Sequence, residues 1–223
     1  MTLLSPNVAG ILLAAGDGSR IGQPKALVVI AGQSLVRRGI GLLQAGGARP
    51  VIVVSGAAQL DAELRDLVEP ADDPETGESD GGQPGVISVH NPRWQTGMGS
   101  SLAAGLAALP AECTAAVLAL ADQPLVGPES VRRLIAAHAA GASVAVACYD
   151  GRPRNPVLLG REHWTEVTAL AEGDVGARPF LRAHPELVTQ IECADTGRPD
   201  DIDTAADLAR VTALLGVSTP FPS

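Results

Sequence analysis

Short apolar runs punctuate the chain, and stretches with helical spacing lie between them. The first run, around Val8, Ile11, Leu12 and Leu13, has no polar alternation, so it predicts a strand buried on both faces of a parallel sheet. PVIVV at 50–54, AAVLAL at 115–120, and the runs 86–89, 143–148 and 187–192 predict further strands. Ser34 is placed to cap a helix running to Ala45, with Leu35, Leu42 and Leu43 on its apolar side. Arg37 and Arg38 read as solvated residues of that helix. A helix over 57–68 has an acidic face of Asp61, Glu63 and Asp66. Ser100 or Ser101 is expected to cap a helix carrying Leu102, Leu106 and Leu109. Further helices are predicted over 128–140, over 161–170, and after Asp203 or Thr204. Strands alternating with helices predict an α/β fold: three layers, α/β/α, Rossmann-like, with a mostly parallel sheet.

Composition narrows this reading. The 223 residues suffice for one large domain, so 1–223 reads as a single unit. Aromatics are 2%, so the core must come from Ala, Val, Leu and Ile. The acidic stretch at 69–85, EPADDPETGESDGGQPG, is expected to be a mobile surface insertion, and 216–223 a frayed tail. A formal net charge of −9 argues against nonspecific nucleic-acid or anionic-membrane binding. Cys113, Cys148 and Cys193 are scattered, with no C-x-x-C, so neither a zinc site nor a disulfide framework follows. The N-terminus lacks a basic region followed by a cleavage site, and the protein is expected to be soluble and cytoplasmic.

The candidate chemistry begins where the first strand ends. Gly16, Gly18 and Gly22 follow at once, with Arg20 and Lys25 among them. Such a turn can aim several N–H groups at one anion, and open α/β sheets place ligands at this edge. Lys25 follows Pro24 and precedes Ala26, which fails the P-loop pattern. The G-x-G-x-x-x-G spacing misses the dinucleotide fingerprint. A plain strand-to-helix turn is the bland alternative. Asp122 lies just past the strand at 115–120, at the same sheet edge, where a carboxylate can hold Mg²⁺ against phosphates; the alternative is a turn-former ahead of Pro124. Trp94 either packs or touches a ligand. Arg152 and Arg154 cluster beside Asn155. No H-x-E or H-E-x-x-H pattern points to catalytic zinc.

LAAGDGSRIGQPKAL resembles the signature loop of the MobA-like nucleotidyltransferases, a family that includes the molybdenum-cofactor cytidylyltransferases. NPRWQTGMGSSL, LADQPLV, GDVGAR and DIDTAADL resemble that family's later segments, so the likeness covers most of 8–210. It implies a nucleotide-diphospho-sugar transferase-like fold. It also implies Leu13, Ala14, Ala15, Gly16 and Gly18 on the nucleotide, with Arg20 and Lys25 on its phosphates. Asn91, Gly97, Met98, Ser100 and Ser101 are implied as base and ribose contacts. Arg154, Asn155 and Arg178 are implied on a pterin-type acceptor, although the family's glycine between the first two is absent. Asp122 is implied as a metal ligand and Asp203 as a second, against its rival reading as a helix cap; Asp201 is the lesser choice. The activity implied is Mg²⁺-dependent transfer of CMP from CTP to molybdopterin cofactor, with pyrophosphate released and a molybdenum enzyme receiving the product. Two alternatives stand beside it. One is an oxidoreductase of the nicotine blue oxidoreductase type, using NADH and a flavin. The other is a non-catalytic carrier of the cofactor.

Overall fold

The computed structural model describes residues 7–68 and 85–216. In chain order the strands are β1 (Val8–Ala14), β2 (Val29–Ile30), β3 (Gln33–Ser34), β4 (Val51–Ser55), β5 (Val86–His90), β6 (Ala115–Leu120), β7 (Val144–Tyr149), β8 (Arg152–Gly160) and β9 (Val188–Glu192). The helices are α1 (Leu35–Ala45), α2 (Asp61–Leu64), α3 (Met98–Ala107), α4 (Pro128–Ala139), α5 (Trp164–Leu170), α6 (Arg178–Ala183) and α7 (Ala205–Leu214). One seven-stranded sheet runs β5-β4-β1-β6-β8-β7-β9, and β2 pairs with β3 apart from it. β1 pairs parallel with both β4 and β6 and lies buried along its whole length.

Alternate residues of β1 feed two cores. Val8, Leu12 and Ala14 join Val36, Ile40 and Leu43 of α1 and Val131 and Leu134 of α4. Ala9, Ile11 and Leu13 join Leu102 and Leu106 of α3, Val167 of α5 and Phe180 of α6. A sheet with helices on both faces is therefore the architecture, as the period of the apolar runs predicts. Gly39 lets α1 close on the sheet: a Cβ there would lie 2.5 Å from Cδ1 of Leu12.

Some expectations are corrected. The helix over 57–68 shrinks to the four residues of α2, and two of its predicted acidic residues, Glu63 and Asp66, pair with Arg37 of α1. Arg38 donates to Ile30 O at 2.7 Å, so neither arginine is simply solvated. Ser100 and Ser101 do not cap α3. Its N-cap is Gly97, with φ 110°, and both serines fall in the first turn. The segment after Asp150-Gly151 is the strand β8, antiparallel to both β6 and β7. Asp150 (φ 52°) and Gly151 (φ 71°) form the two-residue left-handed turn that reverses the chain. The insertion at 69–85 lies outside the described residues save Gly85, and the tail at 216–223 save Gly216. No helix among the described residues is long and apolar enough to cross a membrane.

Candidate active site

A cavity of about 310 Å³ opens where β1 and β6 end side by side. The end of β1 lines it from Leu13 through Asp17, and the end of β6 from Leu120 through Asp122. Lys25 and Ala26 form a third wall. Trp94, Gln95, Gly97, Met98 and Ser101 approach from the start of α3, and Asp174 closes the rim.

The glycine loop is folded on its own backbone. Ile21 N and Gly22 N donate to Gly18 O at 2.8 and 2.9 Å. Gly18 has φ 62°, and a Cβ there would lie 1.9 Å from Gln23 O, so no other residue fits. The N–H groups of Gly16, Asp17 and Gly18 donate to no acceptor among the described residues. Beyond the loop, Pro24 leads into a single turn over Lys25–Leu27, which projects Lys25 into the cavity.

Lys25 Nζ donates to Asp122 Oδ2 at 2.7 Å and to Asp203 Oδ1 at 2.6 Å. Arg20 Nη2 lies 3.1 Å from the same Asp203 oxygen. Residues distant in sequence meet here because Ile202 N donates to Asp122 O at 2.9 Å, tying the segment before α7 to the end of β6. Thr204, not Asp203, caps α7, in a capping box with Asp207. That leaves the Asp203 carboxylate for the lysine. Asp201 accepts from Gln123 Nε2 at 2.8 Å and lines a different cleft.

Burial pulls the Lys25 ammonium down in pKa, but the charge and hydrogen bonds of Asp122, with those of Asp203, outweigh it and leave a raised value. The hydrogen bond from Lys25 holds Asp203 below the usual carboxylate range, against a smaller opposing effect of burial. Burial pushes Asp201 up; the Gln123 hydrogen bond opposes this, and the charges of Asp122 and Asp203 add to it. A depressed carboxylate stabilises the fold fully above its unfolded value and loses that contribution as pH falls through its folded value. The stability gap between wild type and Asp203→Asn is therefore expected at pH 7 and should close below about pH 3.9. Urea unfolding of both proteins at the two pH values checks this; a gap that widens in acid would contradict it.

The donors suit a hard divalent cation. Mg²⁺ is commonly held by one or two carboxylates with substrate phosphates completing its shell. Asp122 and Asp203 converge on one cationic position, and among the described residues no group of three or more His, Cys, Asp or Glu could hold a metal ion.

Leu13, Ala14, Ala15, Gly16, Lys25, Gly97, Met98, Ser101 and Asp122 thus line one cavity. Gly18 shapes its loop, and Arg20 and Asp203 meet at its edge. Asn91 does not face the cavity. It is 3% exposed, and its Nδ2 donates to Ser100 Oγ (2.8 Å) and Ser101 Oγ (3.0 Å), bracing the turn into α3. Ser100 Oγ lies 2.9 Å from Gly97 O in the same brace. Arg154 lies elsewhere, on β8, in a second cleft of about 850 Å³ with Arg152, Arg198 and Asp201. Asn155 is half-buried beside it, and Arg178 is exposed at the start of α6; neither lines the first cavity. Trp94 packs beside Gly56 and also lines the cavity. Gln95 and Asp174 were not anticipated. The GDVGAR block signals a turn, but only the fold brings Asp174 Oδ1 within 3.3 Å of Met98 N.

Residues 10–188 match the family described as the MobA-like NTP transferase domain. The chain belongs to that family. Its fold is that of the nucleotide-diphospho-sugar transferases, and membership makes it an enzyme of the nucleotidyltransferase kind. Nicotine blue oxidoreductase of Paenarthrobacter nicotinovorans is 34% identical over 213 residues, covering 92% of this chain and 97% of that protein. Bifunctional protein GlmU of Mycobacterium sp. (strain KMS) is 29% identical over 83% of this chain, which spans 36% of that longer protein. Among solved structures, the Rv0371c homologue from Mycobacterium sp. strain JC1 has a TM-score of 0.73 at 27% identity, over 96% of this chain and 98% of that one. Rv0371c of Mycobacterium tuberculosis H37Rv, solved in complex with manganese, shares the fold at a TM-score of 0.68 and 24% identity, over 94% and 100% of the two chains.

Proposed function

We propose that this enzyme transfers CMP from CTP to a phosphorylated acceptor, molybdopterin cofactor, and releases pyrophosphate. The observation that carries the reading is the meeting of bare loop amides, two cations and two carboxylates at one sheet edge. An acceptor phosphate oxygen attacks the α-phosphorus of the nucleotide. The new P–O bond forms as the bond to the bridging oxygen of the β-phosphate breaks, and that oxygen carries the electron pair away with pyrophosphate. The attacking phosphate is already anionic, so no general base is required. The N–H groups of 16–18, with Arg20 and Lys25, take up charge on the departing pyrophosphate. Asp122 and Asp203 would hold Mg²⁺, which when bound neutralises phosphate charge. The manganese in the Rv0371c structure supports a divalent ion in this fold.

The acceptor reading rests on the second cleft. Arg152 and Arg154 line it with no acidic partner among the described residues, and Asp201 forms its wall next to the Asp122–Asp203 pair. An acidic pterin phosphate suits those arginines. The test is pyrophosphate release from each NTP with Mg²⁺ and molybdopterin. Release with CTP is expected, and no release with any NTP would count against the reading. The likeness to nicotine blue oxidoreductase favours a second reading, hydride transfer. NADH oxidation by a quinone-like dye, or a bound yellow chromophore, would support it instead.

A further inference from the structure

The Lys25 ammonium stands between two carboxylates. Its Nζ is the shared partner of Asp122 Oδ2 and Asp203 Oδ1, at 2.7 and 2.6 Å. The Lys25 and Asp122 side chains are only 18% and 21% exposed. Two carboxylates this close repel each other unless a cation stands between them. Withdrawing the lysine alone would leave them unpaired in a partly desolvated site, which is costly. Arg20 cannot substitute: it reaches Asp203 only, and it is 66% exposed.

From this geometry we infer that Lys25 is an internal counterion that occupies the metal position until a nucleoside triphosphate draws it onto the phosphates, so that nucleotide and divalent ion enter together. The inference rests on the reading of Asp122 and Asp203 as the metal-holding pair. Lysine suits this exchange because its ammonium is a compact charge on a flexible stem. On the loop side, the unpaired amides of 16–18 form an anion cradle close to the ammonium, since Gly16 and Lys25 line the same cavity. A triphosphate there offers Lys25 a new partner, and the incoming ion offers the carboxylates one. Each arrival lowers the cost of the other, which is positive coupling between two ligands.

The probe is Mn²⁺, followed by the EPR signal of the free ion, with wild type, Lys25→Met and Lys25→Gln. A non-hydrolysable CTP analogue is present or absent. Without nucleotide, both variants are expected to bind Mn²⁺ about tenfold or more tightly than wild type, because the carboxylates have lost their counterion. Mn²⁺ alone should raise the melting temperature of the variants but not of wild type. Adding Asp122→Asn to Lys25→Met should abolish the gain. Equal Mn²⁺ affinity in wild type and both variants, with binding restored by the analogue, would overturn the counterion role and leave the metal-holding pair standing. No Mn²⁺ binding by any of the proteins, even with the analogue, would overturn the pair and the inference with it.

Discussion

Asp122→Asn is expected to cut nucleotidyl transfer by about a thousandfold while leaving the fold intact. The amide is isosteric, and its oxygen can still accept from Lys25 Nζ, so the 2.7 Å contact survives in weakened form. What disappears is the negative charge. A neutral amide cannot balance a divalent ion against a triphosphate, and a thousandfold loss corresponds to about 4 kcal/mol of transition-state stabilisation. Asp203→Asn should cost less, about tenfold, because its side chain is 40% exposed and water can take over part of its role. Steady-state pyrophosphate release by both variants, alongside their melting curves, measures this. Wild-type turnover with Asn at 122 would remove the carboxylate from the mechanism. Loss of activity together with loss of the melting transition would make the residue structural.

The largest expected change in stability is at Leu12. Leu12 is fully buried at the middle of β1 and packs against α1 where Gly39 lets the helix come close. Leu12→Ala removes buried methyl groups and leaves a cavity that neighbours on a central strand cannot close, a loss of about 2–5 kcal/mol. For a domain of this size each kcal/mol lowers Tm by roughly 2–4 °C. Function should suffer too, since β1 leads into the glycine loop two residues later. Val29→Ala is the matched control: Val29 is 60% exposed, and its removal should change stability by no more than about 0.5 kcal/mol. Thermal melts of the two variants check the contrast. Equal destabilisation would mean that the core around β1 relaxes far more freely than its packing indicates.

Local signals served well wherever one short segment carries its own physics. The unbroken apolar run of β1 can satisfy itself only between two helical layers, so the three-layer architecture follows from its spacing. Ser34 caps α1 because its hydroxyl is in reach of Arg37 N. Gly18 has to be glycine because of its positive φ and the backbone beside it. Predictions failed where a distant partner decides. Asp61, Glu63 and Asp66 suggested a solvated acidic face, but Arg37 of α1 claims the last two. No strand was predicted over RPRNPVLLG, yet β8 forms there, its exposed start joined to a buried end paired with β6.

By itself, then, the order of residues determined the layers and the glycine turn, because each depends on φ preferences and periodicity within a few neighbours; Asp203 became a candidate carboxylate only through the family resemblance. Tertiary structure alone decided between capping and charge pairing for Asp203. It set Lys25, 178 residues earlier, between Asp203 and Asp122, while the cap is a local pairing of Thr204 with Asp207. It also moved Arg154 into a separate cleft and turned Asn91 inward as a brace. Charges and hydrogen-bond donors choose partners by distance in space, and that distance exists only once the sheet has brought its strand ends together.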